Sequence, residues 1–295
     1  MHWIAIDWGT SSLRVWRMEG DKVVAEAASK KGMGSLSREE FEPALLELIG
    51  DWIDGPTTAI ACGMVGARQG WIEAPYAKVP CNASPDGVIK APVQHPDLTV
   101  HIIPGLSQSE PADVMRGEET QIAGFLALNP EWDGVIALPG THTKWAHISA
   151  DEVVSFQTYM TGDLFAAITG HTVLRHSVQG DDTDLDAFDA AVAEIISRPE
   201  RLAQKMFSLR AEGLLNGMGA AAAKGRLSGL LIGAEIAGAK PYWLGQNVAL
   251  IGAGPLVALY ARALAAQGVP VTLTDGAGIT LAGLTAAYKR LETAQ

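Results

Sequence analysis

The sequence predicts an α/β protein of two lobes built from duplicated halves, and three observations predict it. At 295 residues the chain is long enough for about two domains of roughly 100–200 residues, each with a core of its own. Short apolar strand patterns alternate with helical ones along the chain, the order expected of an α/β protein. The opening unit also recurs at an offset of 131 residues: Gly9-Thr10 falls on Gly140-Thr141, Ser12 on Thr143, Asp21 on Glu152 and Val23 on Val154. Self-similarity of this kind decides architecture before any single motif does. The expected boundary follows Arg116, giving lobes of residues 1–116 and 117–295, each presenting a hydroxyl-rich turn.

Residues 3–7 form a short apolar run ending in Asp7; a tight turn leads to alternating residues 13–18, and Gly20-Asp21 leads to a third strand at 23–27. Ser37-Arg38-Glu39-Glu40 has capping-box spacing and an acidic first turn, predicting a helix to about Trp52. Residues 57–61 read as a further strand, completing βββαβ. The stretch 63–104 is punctuated by Gly and Pro yet carries Trp71, Tyr76 and Val79, which predicts an ordered excursion on the substrate side. Glu118–Leu128 reads as a helix crossing toward the second lobe. The second copy opens at residues 135–138, and apolar spacing predicts helices at 182–196 and 199–223. In the tail, residues 247–252 and 269–273 read as strands, and 256–266 and 278–291 as helices.

Composition excludes several classes of function. Thirty-three acidic against 22 basic residues give a net charge of −11, the wrong balance for binding a polyanion, so no nucleic-acid partner is expected. No apolar run approaches the ~20 residues needed to cross a bilayer, so no membrane role is expected. The opening MHWIAIDWGT lacks the basic and apolar regions of a secretory leader, and a cytoplasmic location is expected. Cys62 and Cys81 are too few for a disulfide framework or a four-ligand zinc site and read as bystander thiols. The seven histidines show no metal-ligand spacing.

Four motifs carry chemistry. The turns Gly9-Thr10-Ser11-Ser12 and Gly140-Thr141-His142-Thr143 put backbone N–H groups and hydroxyls at strand ends, where they can donate to phosphate. Either turn alone reads better as a plain hairpin, but their recurrence at one offset predicts two phosphate-binding turns facing across a cleft. His142 and Lys144 add donors to the second. Asp7 either caps its turn or holds a Mg²⁺ ion; its counterpart is Leu138, which cannot. Met115-Arg116-Gly117-Glu118-Glu119-Thr120-Gln121 places two acids at a helix start. There they either answer the helix dipole or supply the carboxylate that accepts a proton in phosphoryl transfer. Ile251-Gly252-Ala253-Gly254-Pro255 lacks the third glycine of a dinucleotide fingerprint, Val257 standing there. Such a strand-glycine-helix turn can instead leave flat backbone for an adenine ring. Residues 233–240 approach a P-loop pattern but place Ala239 at the lysine position.

Residues 4–12, Gly140-Thr141 and residues 251–254 resemble, in order and spacing, the phosphate 1, phosphate 2 and adenosine motifs of the actin-like ATPase and sugar kinase superfamily. That resemblance implies the ribonuclease H-like βββαβαβα lobe used twice around an interdomain cleft, with lobe closure excluding water. It also implies a catalytic carboxylate roughly twenty residues before phosphate 2, and Glu119 stands 21 residues before Gly140. Glu119-Thr120 looks like the Asp-Thr of hexokinases, Gly117-Glu118 like the Gly-Asp of glycerol-type kinases, and Gly117-Glu118-Glu119 like exopolyphosphatases, so both glutamates stay candidates. More specifically, residues 7–11, 115–121, 138–145 and Met160-Thr161-Gly162-Asp163 look like the 2-dehydro-3-deoxygalactonokinase family over nearly the whole chain.

Membership implies ATP-dependent phosphorylation of the 6-hydroxyl of 2-dehydro-3-deoxy-D-galactonate in galactonate catabolism, with Mg²⁺ as cofactor and ATP as co-substrate. On this reading Asp7 organises the metal, and Gly9, Thr10, Ser11, Ser12, Gly140, Thr141, His142, Thr143 and Lys144 cradle phosphates. Gly252, Ala253 and Gly254 take the adenosine. A keto-acid anion on an acidic protein needs local cations; Arg68 and Arg116 are the candidates. Trp71, Tyr76, Thr161 and Asp163 are candidates for the sugar-acid pocket, although Arg68 also reads as a solvated loop residue and Trp71 as a core anchor. The expected partners are a small-molecule substrate and ATP, with a homodimer left open. From another class, the same motifs would suit an acceptor-independent actin-like ATPase or a nucleotide-dependent sensor. An exopolyphosphatase would want a long basic surface that the composition does not offer.

Overall fold

The strand His2–Trp8 (β1) sits where its sequence demands. Five of its seven residues are fully buried, because Ile4, Ile6 and Trp8 feed one apolar cluster while Trp3 and Ala5 feed another. The two-residue side-chain period puts these sets on opposite faces, and both faces are covered. The computed structural model describes residues 2–293.

β2 (Leu13–Glu19) pairs antiparallel with β1, and β3 (Lys22–Ser29) with β2, shifting register between Arg17 and Met18. Ser37 caps the next turn, its N–H donating to Glu40 Oε2 at 2.7 Å. Helix α1 (Phe41–Ile49) then lays Phe41, Leu45 and Ile49 on the Ile4 face of β1. β4 (Thr57–Gly63) lies parallel to β1 with Asp7 opposite Cys62.

The segment after β4 is ordered, as expected, and contributes more to the main sheet than its sequence pattern suggests. It holds β5 (Tyr76–Lys78), β6 (Cys81–Asn82), β7 (Ile89–Lys90) and β8 (Leu98–Ile102). β8 is a parallel partner of β4, completing the sheet β3-β2-β1-β4-β8-β7. β9 (Gly105–Ser109) and β10 (Ala112–Met115) join β5 in a small sheet. Helix α2 (Glu118–Leu128) has the bounds its sequence predicts.

The repeat then begins: β11 (Gly134–Leu138), β12 (Thr143–Ser149) and β13 (Glu152–Tyr159) restate the order β1, β2, β3. Next come α3 (Thr161–His171), α4 (Leu185–Ile195), α5 (Leu202–Asn216), α6 (Ala220–Gly238) and α7 (Lys240–Trp243). The predicted helix 199–223 is in fact broken at Gly217, whose φ of 68° is a left-handed helix end. Beyond the break the chain enters the 19-residue α6. Gly225, Gly229 and Gly233 recur every fourth residue on α6. A methyl on the first two would lie 2.1 Å from Asp184 O and 2.4 Å from Phe188 O, on the third 2.5 Å from Ile195 Cγ2. Gly233, which opens the P-loop-like stretch, therefore belongs to a helix-packing stripe that lets α4 approach closely. β14 (Val248–Ile251), α8 (Gly254–Ala265), β15 (Val271–Thr274) and α9 (Gly276–Thr293) close the chain, with β14 parallel to both β11 and β15.

Contacts divide the chain into two compact units. One comprises residues up to 133, 148–156 and from 275 onward; the other comprises 134–147 and 157–274. This departs from the expected boundary after Arg116, because α2 does not leave the first unit: it packs along α9, which returns there from the far end of the chain. Among the described residues no helix is long and apolar enough to cross a membrane.

Candidate active site

In the first unit, chemistry collects at the C-terminal ends of β1 and β4. Asp7 accepts an ion pair from Arg14 through Oδ2, and its Oδ1 lies 3.9 Å from Cys62 Sγ. Burial pushes the Cys62 thiol well up, and the charges of Asp7 and Glu119 push it the same way. The two carboxylates therefore act on one buried sulfur. At the start of α2 each acid accepts a backbone N–H: Arg116 N–H to Glu118 Oε2 at 3.1 Å and Gly117 N–H to Glu119 Oε2 at 2.6 Å. Both satisfy orphan donors of the helix start, but their surroundings differ. Glu119 is fully buried and also accepts from Thr120 Oγ1 at 3.1 Å. Burial, then the neighbouring charge of Glu118, raises its carboxyl to about 8. Glu118 is only half-buried.

The first turn closes through Gly9 N–H to Ser12 O at 2.9 Å, and residues 33–34 pack on it through Met33 N–H to Gly9 O and Gly34 N–H to Thr10 O. With those backbone groups tied down, Thr10, Ser11 and Ser12 stay exposed. Arg116 is buried, at 9% exposure. Its Nη2 donates to Ala74 O at 2.7 Å, its Cζ lies 4.3 Å from the centre of the Tyr76 ring, and its Nε and Nη1 have no partner. A buried guanidinium with two unanswered donors is costly unless something else answers them.

The second unit holds a cavity of about 460 Å³ lined by Gly140 and Thr141 of the second turn, Thr161 and Gly162 of α3, Lys224 and Ser228 of α6, and Leu256 and Leu259 of α8. That size and its apolar walls suit a ligand of nucleotide dimensions. The strand-glycine-helix turn at Gly252, Ala253 and Gly254 leads directly into the first turn of α8, whose Pro255 and Leu256 line the cavity. Glu235 of α6 is buried, at 3% exposure. It accepts Trp145 Nε1–H at 2.8 Å and Tyr260 O–H at 2.6 Å, and Thr143 Oγ1 lies 3.0 Å from the Tyr260 oxygen. Burial raises the Glu235 carboxyl, opposed by hydrogen bonds from Thr161, Tyr260, Trp145 and Thr143.

The model of the 2-keto-3-deoxy-galactonokinase family matches residues 7–287. The chain belongs to that family. A Rhizobium meliloti (strain 1021) protein named as a probable 2-dehydro-3-deoxygalactonokinase is 39% identical over 98% of this chain and 97% of its own. The Escherichia coli (strain K12) 2-dehydro-3-deoxygalactonokinase is 35% identical over 96% of each. A crystal structure of a Sinorhizobium meliloti protein, provisionally assigned the same activity, superposes with a TM-score of 0.93 at 39% identity, over 98% of this chain and 99% of that one. The more distant component A of the Acidaminococcus fermentans (R)-2-hydroxyglutaryl-CoA dehydratase, at 13% identity and a TM-score of 0.50, shares the fold alone. The fold is that of actin-like ATPases and sugar kinases.

Among the residues expected to serve the kinase chemistry, the structure gathers Asp7, Glu118, Glu119 and Arg116 with Tyr76 in the first unit. It gathers Gly140, Thr141 and Thr161 around the cavity of the second. Thr161, expected beside the sugar acid, thus lines the cavity of the Gly140-Thr141 turn. The remaining candidates have the following settings. Thr143 and Lys144 are buried, and Lys144 Nζ donates to Thr158 Oγ1 at 2.8 Å, away from the turn's exposed face. His142 Nε2 and Asp163 Oδ2 pair at 2.7 Å, and both side chains are exposed. Arg68 is exposed and offers its carbonyl to Arg38 at 2.9 Å. Trp71 packs against Trp8 and Phe41 as a core anchor. Sequence reasoning missed Glu235; its sole signal was being the one acid of a glycine-striped helix.

Proposed function

We propose that the chain transfers the γ-phosphoryl group of ATP to the 6-hydroxyl of 2-dehydro-3-deoxy-D-galactonate, the reaction of galactonate catabolism that its family implies. The observation that carries this reading is the half-buried Glu118 at the start of α2, standing beside a fully buried Glu119 in a kinase-family chain. The acceptor oxygen bonds to the γ-phosphorus, the bond to the β-phosphate oxygen breaks, ADP leaves, and the hydroxyl proton passes to a carboxylate. Glu118 is the better base: it is only half-buried, whereas Glu119 is sealed and held protonated near neutrality by burial. Glu119 anchors the helix start on which Glu118 stands.

Thr141 and the backbone of the second turn hold phosphates, the walls of the 460 Å³ cavity hold the nucleoside, and the exposed hydroxyls of Thr10, Ser11 and Ser12 add phosphate donors. Among the described residues no three acid, histidine or cysteine side chains gather into a ready-made metal site. Asp7 is nevertheless a fit for Mg²⁺, which commonly takes one carboxylate and completes its shell with water and substrate phosphates. A bound Mg²⁺ would neutralise charge developing on the phosphates. Arg116, with two unanswered donors, suits the acceptor's carboxylate, Tyr76 shifting to admit it; Arg68 lacks such a setting. ATP as donor puts the enzyme in the cytoplasm.

The test is an ADP-release assay with Mg-ATP and a panel of 2-keto-3-deoxy sugar acids, simple hexoses and no acceptor. Release that depends on 2-dehydro-3-deoxygalactonate is expected. Better turnover on hexoses would overturn the substrate, and release without an acceptor would move the chain to the ATPase or sensor class.

A further inference from the structure

The second unit contains a buried polar chain that the phosphoryl-transfer reading does not use. It starts at Glu235 and ends at both walls of the nucleotide cavity. A phenol has one proton, and Tyr260 spends it on Glu235 Oε2 at 2.6 Å. Thr143 Oγ1 lies 3.0 Å from the Tyr260 oxygen, and its hydroxyl also bonds the Glu235 carboxylate. Thr143 is the last residue of the Gly140-Thr141 turn, so the proton of its hydroxyl is turned inward, away from any phosphate. The carboxylate also takes a hydrogen bond from Thr161, the first residue of α3. That helix start is itself pressed on the turn: Asp163 N–H donates to Thr141 O at 3.1 Å, and a methyl on Gly162 would lie 2.4 Å from Gly140 O. Trp145 Nε1 fixes the other carboxylate oxygen at 2.8 Å.

We infer that Glu235 is a positioning residue for the nucleotide phosphates. One carboxylate, held from several directions, sets the relative placement of the 140–143 turn and the start of α3, and residues of both line the same cavity. The inference rests on the kinase reading only for the identity of the ligand. Glu235→Gln preserves volume but replaces two acceptors with one acceptor and one donor, so the indole N–H and the phenol O–H compete for a single oxygen. Leaving a buried donor unanswered costs enough to weaken binding by about ten-fold.

The experiment is calorimetric titration of ADP into the full chain and its Glu235→Gln and Tyr260→Phe variants, with KM for ATP and for the keto acid measured alongside. The expected result is an ADP Kd and an ATP KM raised about ten-fold in Glu235→Gln with the keto-acid KM unchanged, a rise in the same direction in Tyr260→Phe, and a double variant no worse than the sum of the two. An ADP Kd equal to that of the parent in the folded variants, with only the melting temperature lowered, would reduce Glu235 to a structural role and overturn the inference. So would a parallel rise in both KM values. If Glu235→Gln does not fold, Tyr260→Phe decides alone. A parent chain that binds ADP but phosphorylates no acceptor overturns the kinase reading and leaves this one to be judged on ADP affinity.

Discussion

Gly124 on α2 and Gly283 on α9 occupy one helix crossing, so close that a methyl on Gly124 would lie 2.7 Å from the Gly283 nitrogen and 2.0 Å from Ile279 O. A methyl on Gly283 would lie 1.9 Å from Thr120 O, one residue from Glu119. The crossing therefore sets the height of the helix start that carries both candidate acids.

Gly124→Ala and Gly283→Ala are accordingly expected to destabilise the first unit by about 1–3 kcal/mol each, the usual cost of overpacking a tight contact. Thermal or urea unfolding checks this. An unchanged midpoint in both variants would mean that the helices separate without cost.

Glu118→Gln is expected to lower kcat by about 10²–10⁴ with the ATP KM little changed, the range for loss of a general base. Glu119→Gln should retain most turnover, because an amide can still accept from the Gly117 N–H. Asp7→Ala should lose turnover and shift the Mg²⁺ requirement upward. Steady-state kinetics that show the reverse ranking of the two glutamates would transfer the base to Glu119.

Stability should fall as pH rises through neutrality, and Glu119 is one cause. Its carboxyl sits at about 8 in the folded chain against an ordinary 4.5. Between those values the unfolded chain has lost a proton that the native chain keeps, so unfolding becomes easier with increasing pH. The contribution is fully present below about pH 4.5 and lost as pH passes 8, and it amounts to roughly a few kcal/mol. Glu119→Gln should flatten the stability profile over that window relative to the parent, a difference measurable by urea unfolding at about pH 5, 6.5 and 8. Equal slopes for the two proteins would exclude a buried, protonated Glu119.

Arg116→Lys should raise the keto-acid KM by about ten-fold or more while sparing the ATP KM, since an ammonium cannot replace a planar bidentate donor. Arg68→Ala should change neither. A strong effect of Arg68→Ala on the keto-acid KM would move the carboxylate anchor to the exposed loop.

The parts of the fold legible in the sequence are those written in local pattern. The first three strands, the capped turn that leads into α1 and the bounds of α2 follow from alternation, capping and apolar spacing, and the Gly-Thr turns from their recurrence. The rest depended on partners far away in sequence. β8 is an ordinary five-residue strand whose place beside β4 only the folded sheet reveals. The glycines of α6 looked like a phosphate loop because helix contact and backbone flexibility favour the same residue. Two acids at a helix start read alike as letters, and it took the burial of one to separate them. Glu235 was invisible because its partners Trp145 and Tyr260 stand on other elements of the second unit.

The return of α9 to the first unit has a consequence for how the chain is made. Its Tyr288 stacks on Trp3 at 4.3 Å, and Leu284 and Ala287 close the apolar face to which Ala5 and Ile60 belong. A ribosome delivers residues 276–293 after every strand and cavity wall of the second unit has emerged. Until then the opening strand waits with one face bare. A stop codon placed just before α9 would therefore spare all the residues lining the 460 Å³ cavity of the second unit and orphan the beginning of the protein.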